Sequence, residues 1–221
     1  MELKEAIKGR RSIRKFKEDQ IPKEKLQAIF DQARWAPSWG NTQCWTFHVL
    51  SGHPLAAYKT GINERMARGE AHASDISMPN KWPELLKNRY SETGKLVLSS
   101  LSIAREDKIS RNRFYEDMAV LFGAPCLAVG CIPREIRGEY AMLDMGLIIQ
   151  TLCLAAWDQG IGSCIMAVSV GYAPLLRQIA AIPDDRLIVM GVALGFPDES
   201  HPINRFPRIR MEMDDFVTWV G

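Results

Sequence analysis

Arg10, Arg11, Ser12 and Arg14 fall within "KGRRSIRKFK" (8–17), a run with six basic side chains and no acid. Extended backbone alternates its side chains, so Arg10, Ser12 and Arg14 would share one face. Two guanidinium forks and a hydroxyl suit a phosphate, which accepts several charged donors at once. Ile13, and with it Phe16, would then face apolar neighbours. Three plainer readings compete: a solvated charged turn, a nucleic-acid contact or a targeting segment. A net charge of only +2 argues against a general polyanion binder. Glu2, Glu5, Glu18 and Asp19 argue against an acid-poor presequence. A second basic cluster, Arg205, Arg208 and Arg210, stands near the other end of the chain. The two clusters could close on one anion. Together with the polar loop "PSWGN" (37–41) they point to a phosphorylated cofactor.

Other chemistries lack their signatures. "GIGSCI" (160–165) has Ile165 where a dinucleotide fingerprint needs its third glycine, and it follows a helical rather than a strand pattern. No Walker sequence, helical histidine pair or GxSxG elbow occurs. His48, His53, His72 and His201 are far apart, and His48 alternates within a strand pattern as a structural histidine would. The five cysteines, Cys44, Cys126, Cys131, Cys153 and Cys164, form no CxxC pair and read as reduced thiols of a cytoplasmic protein. "MELKEAIKGRR" has charges where a signal peptide needs apolar residues. Asp144 and Asp158 interrupt the longest apolar stretch, so no membrane span is expected. Without a nucleophile–base pair, an enzyme built on this chain needs a cofactor for the hard step.

The elements that must position these residues follow from periodicity. Residues 2–9 read as a short helix stopped by Gly9. Leu26, Ile29, Phe30 and Ala33 mark the stripe of a second helix, begun near Pro22 and ended by Pro37. "CWTFHVLSG" alternates Trp45, Phe47 and Val49 as a strand does. Residues 52–118 are polar and of mixed charge, with weak helical patterns, and read as an excursion over the core. "APCLAVGCI" (124–132) and "RLIVMGVALG" (186–195) suit buried strands. Residues 140–160 are apolar on nearly all sides, as in a central helix ending at Gly160. "GSCIMAVS" reads as a strand or extended loop, and "YAPLLRQIAA" as a helix. The tail has no core pattern until Phe216, Val217 and Trp219. Helices therefore dominate an α+β or α/β arrangement, and the tail packs elsewhere on the fold or on another subunit.

In order along the chain, "RRSIRKF", "APSWGNTQCW", "AAWDQGIGSC", "IPDDRLIVMGVALGFPD" and "NRFPRIR" resemble the nitroreductase superfamily of flavin enzymes. The resemblance spans essentially the whole chain. "KWPELLKNRY" and "IAREDK" place it nearest the nitrobenzoate-reductase-like branch. It implies one α+β domain over 1–221, a central mainly antiparallel sheet among helices. It implies a homodimer in which the tail (198–221) is exchanged between subunits, and 52–118 acts as a helical lid. FMN is the implied cofactor, with NADH or NADPH as electron donor and a nitroaromatic, quinone or similar small molecule as acceptor. Hydride passes by a ping-pong route, and no side chain is an obligatory acid or base.

Matched residue by residue, Arg10, Arg11, Ser12 and Arg14 correspond to the phosphate and ribityl motif. Arg208 and Arg210 correspond to the C-terminal basic pair, with Arg205 as the alternative. Pro37, Ser38, Trp39 and Asn41 correspond to the loop lent to the other subunit's flavin. Ile165, Met166, Ala167 and Val168 correspond to the segment over the flavin ring, whose backbone N–H faces N5. Many members have proline at Ile165 and at Cys44, and an acid and glycine at Ala167 and Val168; a backbone donor needs none of these side chains. Two other functions stay open. One is an FMN-dependent reductive dehalogenase using Glu84, Lys87 and Tyr90 in the lid. The other is a colourless anion or nucleic-acid binder.

Overall fold

The computed structural model describes every residue of the chain except Asn80 and Arg137. Four strands form one antiparallel sheet in the order β1-β2-β4-β3: β1 (Thr46–Ser51), β2 (Cys126–Pro133), β3 (Gly162–Met166) and β4 (Arg186–Gly195). The two central strands, β2 and β4, are the two continuous apolar runs of the sequence. Strands covered on both faces have no use for a polar alternation. Leu127, Val129 and Cys131 of β2 face one helical layer, and Cys126, Ala128 and Ile132 face the other.

One layer holds α2 (Lys23–Ala33) and the long α6 (Glu139–Asp158). Ile29 and Ala33 of α2 and Met145, Ile148, Ile149 and Leu152 of α6 are buried there. Phe30 meets Phe47 of β1 edge to face, with centroids 5.4 Å apart. By length and composition α6 is apolar enough to cross a membrane, but half of its apolar window is buried inside the fold. The expectation of an all-round buried helix is therefore only half met. Tyr140 and Leu143 on its other side are exposed.

The second layer holds α3 (Gly52–Ala67), α5 (Lys108–Ala119) and α7 (Ala173–Ala180). The stretch 52–118 thus divides. Leu55, Tyr58 and Ile62 of α3 are core residues. By contrast, α4 (Glu84–Ser100) buries only Val97. Between them, Asp75 pins the chain to the body: its carboxylate pairs with Arg177 and accepts from the Ile188 N–H at 2.8 Å. Tyr172 reinforces this by donating its hydroxyl to the Glu70 carbonyl at 3.2 Å. The short α1 (Leu3–Gly9) lies against the C-terminal end of α6, where a Cβ on Gly9 would meet Trp157 Nε1 at 2.6 Å.

Two predictions follow from this packing. Asp75→Ala leaves a largely buried guanidinium and a strand N–H without their partner. It should cost about 3 kcal/mol in urea unfolding. Second, burial pushes the Cys126 and Cys131 thiols from 9.0 up to about 12. Below pH 9 both are protonated folded or unfolded, and their contribution is intact. Above it the unfolded chain ionises first, so stability should fall as pH rises towards 12. At pH 10.5 the loss should be roughly 2 kcal/mol per thiol. Urea midpoints under reducing conditions should show this decline, and a Cys126→Ala, Cys131→Ala variant should lose much of it.

Candidate active site

The basic run leaves α1 at Arg10 and continues extended along the outer edge of β3. Ile13 N–H donates to the Ser163 carbonyl at 2.9 Å, and Lys17 N–H to the Phe196 carbonyl at 2.9 Å. Ser12 bridges Ser163, and Phe16 bridges Pro197. Ile13 and Phe16 point inward and are buried. Space for them comes from two glycines that face each other across β3 and β4, Gly162 and Gly195. A Cβ on Gly162 would stand 2.6 Å from Ile13 Cγ1, and one on Gly195 would stand 2.8 Å from Phe16 Cδ1. With the apolar residues seated inward, the arginines are left on the outer side.

The tail returns to the same place. Buried Asn204 accepts from the Arg14 N–H at 2.8 Å and donates to the Lys15 and Asp198 carbonyls, each at 2.8 Å. Arg11 donates to the Phe206 carbonyl at 2.6 Å. Arg208 donates to the carbonyls of Arg10 and Lys8. The Arg14 guanidinium lies over the Phe206 ring, 5.6 Å from its centroid.

These contacts enclose a cavity of about 120 Å³ lined by Arg10, Arg11, Ser12, Arg14, Arg208 and Arg210, together with Phe206 of the tail and Thr93 of α4. All six phosphate residues expected from the sequence meet there. Arg205 does not line it; its Nε donates to the Glu199 carbonyl instead. Among the described residues, no acid lines the cavity. Burial, and then the charge of Arg14, pulls Arg11 below its usual range. Burial followed by Arg11, Arg210 and Arg10 does the same to Arg208. A cluster of cations under mutual repulsion, with forked donors around one space, is chemically suited to a multiply charged anion such as a terminal phosphate.

A sequence profile described as the nitroreductase family matches residues 7–196, from before the first arginines to the end of β4. The chain belongs to the nitroreductase family. It is 30% identical to a 4-nitrobenzoate reductase of Pseudomonas putida over 216 residues, covering 97% of this chain and 94% of that protein. It is 32% identical over 212 residues to the nitroreductase NfnB of Mycolicibacterium smegmatis, covering 91% and 86%. Among solved structures, the FMN- and NADPH-dependent nitroreductase NfnB from Sphigopyxis sp. strain HMH superposes with a TM-score of 0.95 at 30% identity, over 100% of both chains.

The other residues expected at the site stand apart from the cavity. The loop 37–41 is pinned at the opposite end of α6, where Trp39 N–H donates to Asp144 Oδ1 at 3.0 Å. Asp144 is 3% exposed, while Trp39 is 66% exposed. Asp144 and Trp157 lie 13 residues apart on α6, about 20 Å at helical rise. One chain therefore does not bring Pro37, Ser38, Trp39 and Asn41 to its own arginine cavity. Gly40, Asn41 and Gln43 all take left-handed backbone angles, and Gln43 N–H donates to Ser38 Oγ at 3.0 Å. The Cys44 thiol is 3.9 Å from Asp144 Oδ2, and burial followed by Asp144 raises its pKa, so it is no activated nucleophile.

On β3, Ile165 is 41% exposed and Met166 is buried; Ala167 and Val168 begin a 3₁₀ turn, Ala167–Val170. That turn is held from below. Ser169 donates to the Met166 carbonyl at 2.6 Å, and Tyr58 donates to the Ser169 carbonyl at 2.8 Å. Gly191 gives it room, since a Cβ there would strike Ser169 Oγ. Among the described residues, no group of His, Cys, Asp or Glu could hold a metal.

Sequence reasoning missed Asn204, Tyr58, Ser169 and Thr93. Asn204 stands inside "NRFPRIR", where the arginines carry the charge signal and a single asparagine has no local pattern to mark it. Asn204→Ala leaves the Arg14 N–H without its partner, while the Lys15 and Asp198 carbonyls keep the Asp198 and His201 N–H groups. It should lower stability by about 2 kcal/mol in denaturant unfolding and release the tail from the basic run, seen as faster proteolysis at residues 205–210.

Proposed function

We propose that this chain is an FMN-dependent NAD(P)H oxidoreductase that reduces nitroaromatic, quinone or similar small acceptors. The observation that carries this reading is the cavity in which both ends of the chain bring five arginines and Ser12 together. Similarity to a relative named as nitroreductase NfnB and to a solved structure named as an FMN- and NADPH-dependent nitroreductase supports it. In this reading Arg10, Arg11, Arg14, Arg208 and Arg210 hold the FMN phosphate, and Ser12 adds a neutral donor. Bound FMN would supply the two-electron chemistry for which the cavity's own side chains have no capacity. The Ile165–Val168 segment, held from below by Tyr58 and Ser169, would supply backbone N–H groups to the flavin ring. Donors fixed before reaction need no reorganisation as charge develops. Electron donor and acceptor would use the site in turn, and two-electron transfer through bound FMN would ask no acid–base pair of the chain.

The active form in this proposal is a homodimer. Its support lies in apolar residues left uncovered by one chain: Trp39, Tyr140 and Leu143 around α6, and Phe216, Trp219 and Val220 in the tail. A partner covering them would receive the 37–41 loop at its own flavin and the end of the 198–221 tail on its surface. Within 52–118, α4 and its flanks serve as the cover over the site. The five free cysteines, four of them buried, fit a cytoplasmic, reducing setting.

The purified protein should be yellow, bleach on addition of NADH or NADPH, and regain colour with nitrobenzoate or a quinone. Replacing either Arg14 or Arg210 by Ala should raise the FMN dissociation constant roughly tenfold or more, since each removes a charge-assisted contact. Lys17→Ala, outside the cavity, should leave it unchanged. Full FMN occupancy in both arginine variants would refute the phosphate assignment. A colourless protein that takes up no FMN would refute the function.

A further inference from the structure

Helix α4 is attached to the body only by its C-terminal part. From Glu84 to Lys95 every residue is exposed except half-buried Arg89, while Leu96, Val97, Leu98 and Ser100 make the contact. This attachment borders the arginine cavity, because Leu96 and the exposed Thr93 just before it line that space. Thr93 is thus the polar side chain that α4 offers to a space otherwise walled by cations and tail residues. Its hydroxyl donates to the Arg89 carbonyl at 3.0 Å. The helix ladder already supplies that carbonyl with a partner, so turning the hydrogen towards an anion leaves no backbone group unsatisfied. Gly94 follows directly. A Cβ there would meet nothing within 4 Å, so packing does not require glycine, and glycine weakens the helix where it leaves the body.

From this arrangement we propose that the Thr93 hydroxyl is a further ligand of the anion held by the arginines, and that cofactor loading docks α4 through it. The inference rests on the FMN reading above and extends it to a helix for which that reading gave no binding residue. Without the anion, α4 closes over charges that repel one another and gains no polar contact. With it, the cluster is neutralised and Thr93 gains a charged acceptor. Coupling of this kind is reciprocal: whatever docks α4 also tightens the cofactor.

Hydrogen exchange over residues 84–100 tests this on the full chain stripped of flavin and then given FMN or riboflavin, which has the same ring without the phosphate. FMN should slow exchange in this helix about tenfold, and riboflavin at saturation should not. Thr93→Val keeps the shape and removes the hydroxyl. It should raise the FMN dissociation constant roughly tenfold and abolish the protection, whereas Thr93→Ser should restore both. Equal protection by riboflavin, or a Thr93→Val protein matching wild type in affinity and exchange, would overturn the inference while leaving FMN binding intact. Failure of the wild type to take up either flavin would overturn the site reading, and the inference with it.

Discussion

The site depends on how an extended segment is seated on the end of the sheet. Residues 11–17 are held by Ile13 and Phe16, which sit over the facing glycines Gly162 and Gly195. Burial of two such side chains is worth about 2 kcal/mol each. Inward Ile13 turns its neighbours Ser12 and Arg14 outward, while Arg11 reaches the same space through its bond to the Phe206 carbonyl. Asn204 repeats the constraint from the tail side with three hydrogen bonds to backbone. The chain ends are thereby registered to each other before any ligand is considered.

That registration works against electrostatics. Two guanidiniums about 8 Å apart at an effective dielectric of about 20 repel by roughly 2 kcal/mol, less in salt, and five line the same space. Each such pair thus rivals the burial of one anchoring side chain. Several guanidiniums spend donors on backbone carbonyls, as Arg11 does on Phe206 and Arg208 on Arg10 and Lys8. Those bonds orient the charges without neutralising them. Such a cluster favours an anion, and the geometry that gathers the cations is held by apolar packing and amide chemistry.

The rest of the site divides by rigidity. The turn after β3 is held by Tyr58, Ser169 and Gly191, deep in the second layer. The 37–41 loop is rigid locally, through Asp144, yet its Trp39 faces outward. Helix α4 is the loosely held part. In the proposed reading, a rigid floor with a weakly attached cover suits a site that admits a large donor and then a smaller acceptor.

Much of this was legible in the residues. The strand β4 matches its apolar run end to end, because continuous apolar character admits no other place than mid-sheet. Period-two alternation put Arg10, Ser12 and Arg14 on one face, but it gave no place there to Arg11, which lines the same cavity, and it did not bring Ile13 and Phe16 to one side. Division of 52–118 into a core helix and an outer one was not legible, since α3 carries weak patterning and is buried through a few contacts with α7 and β1. Nor was the half-exposed state of α6, whose outward apolar face looks the same in sequence as its inward one. Sequence by itself determined the chemistry available: a surplus of forked cations, no nucleophile and thiols too scattered for metal. Only the tertiary structure decided which of those groups share a space, because residues 10–14, 93 and 208–210 are joined by packing and backbone hydrogen bonds that no local pattern encodes.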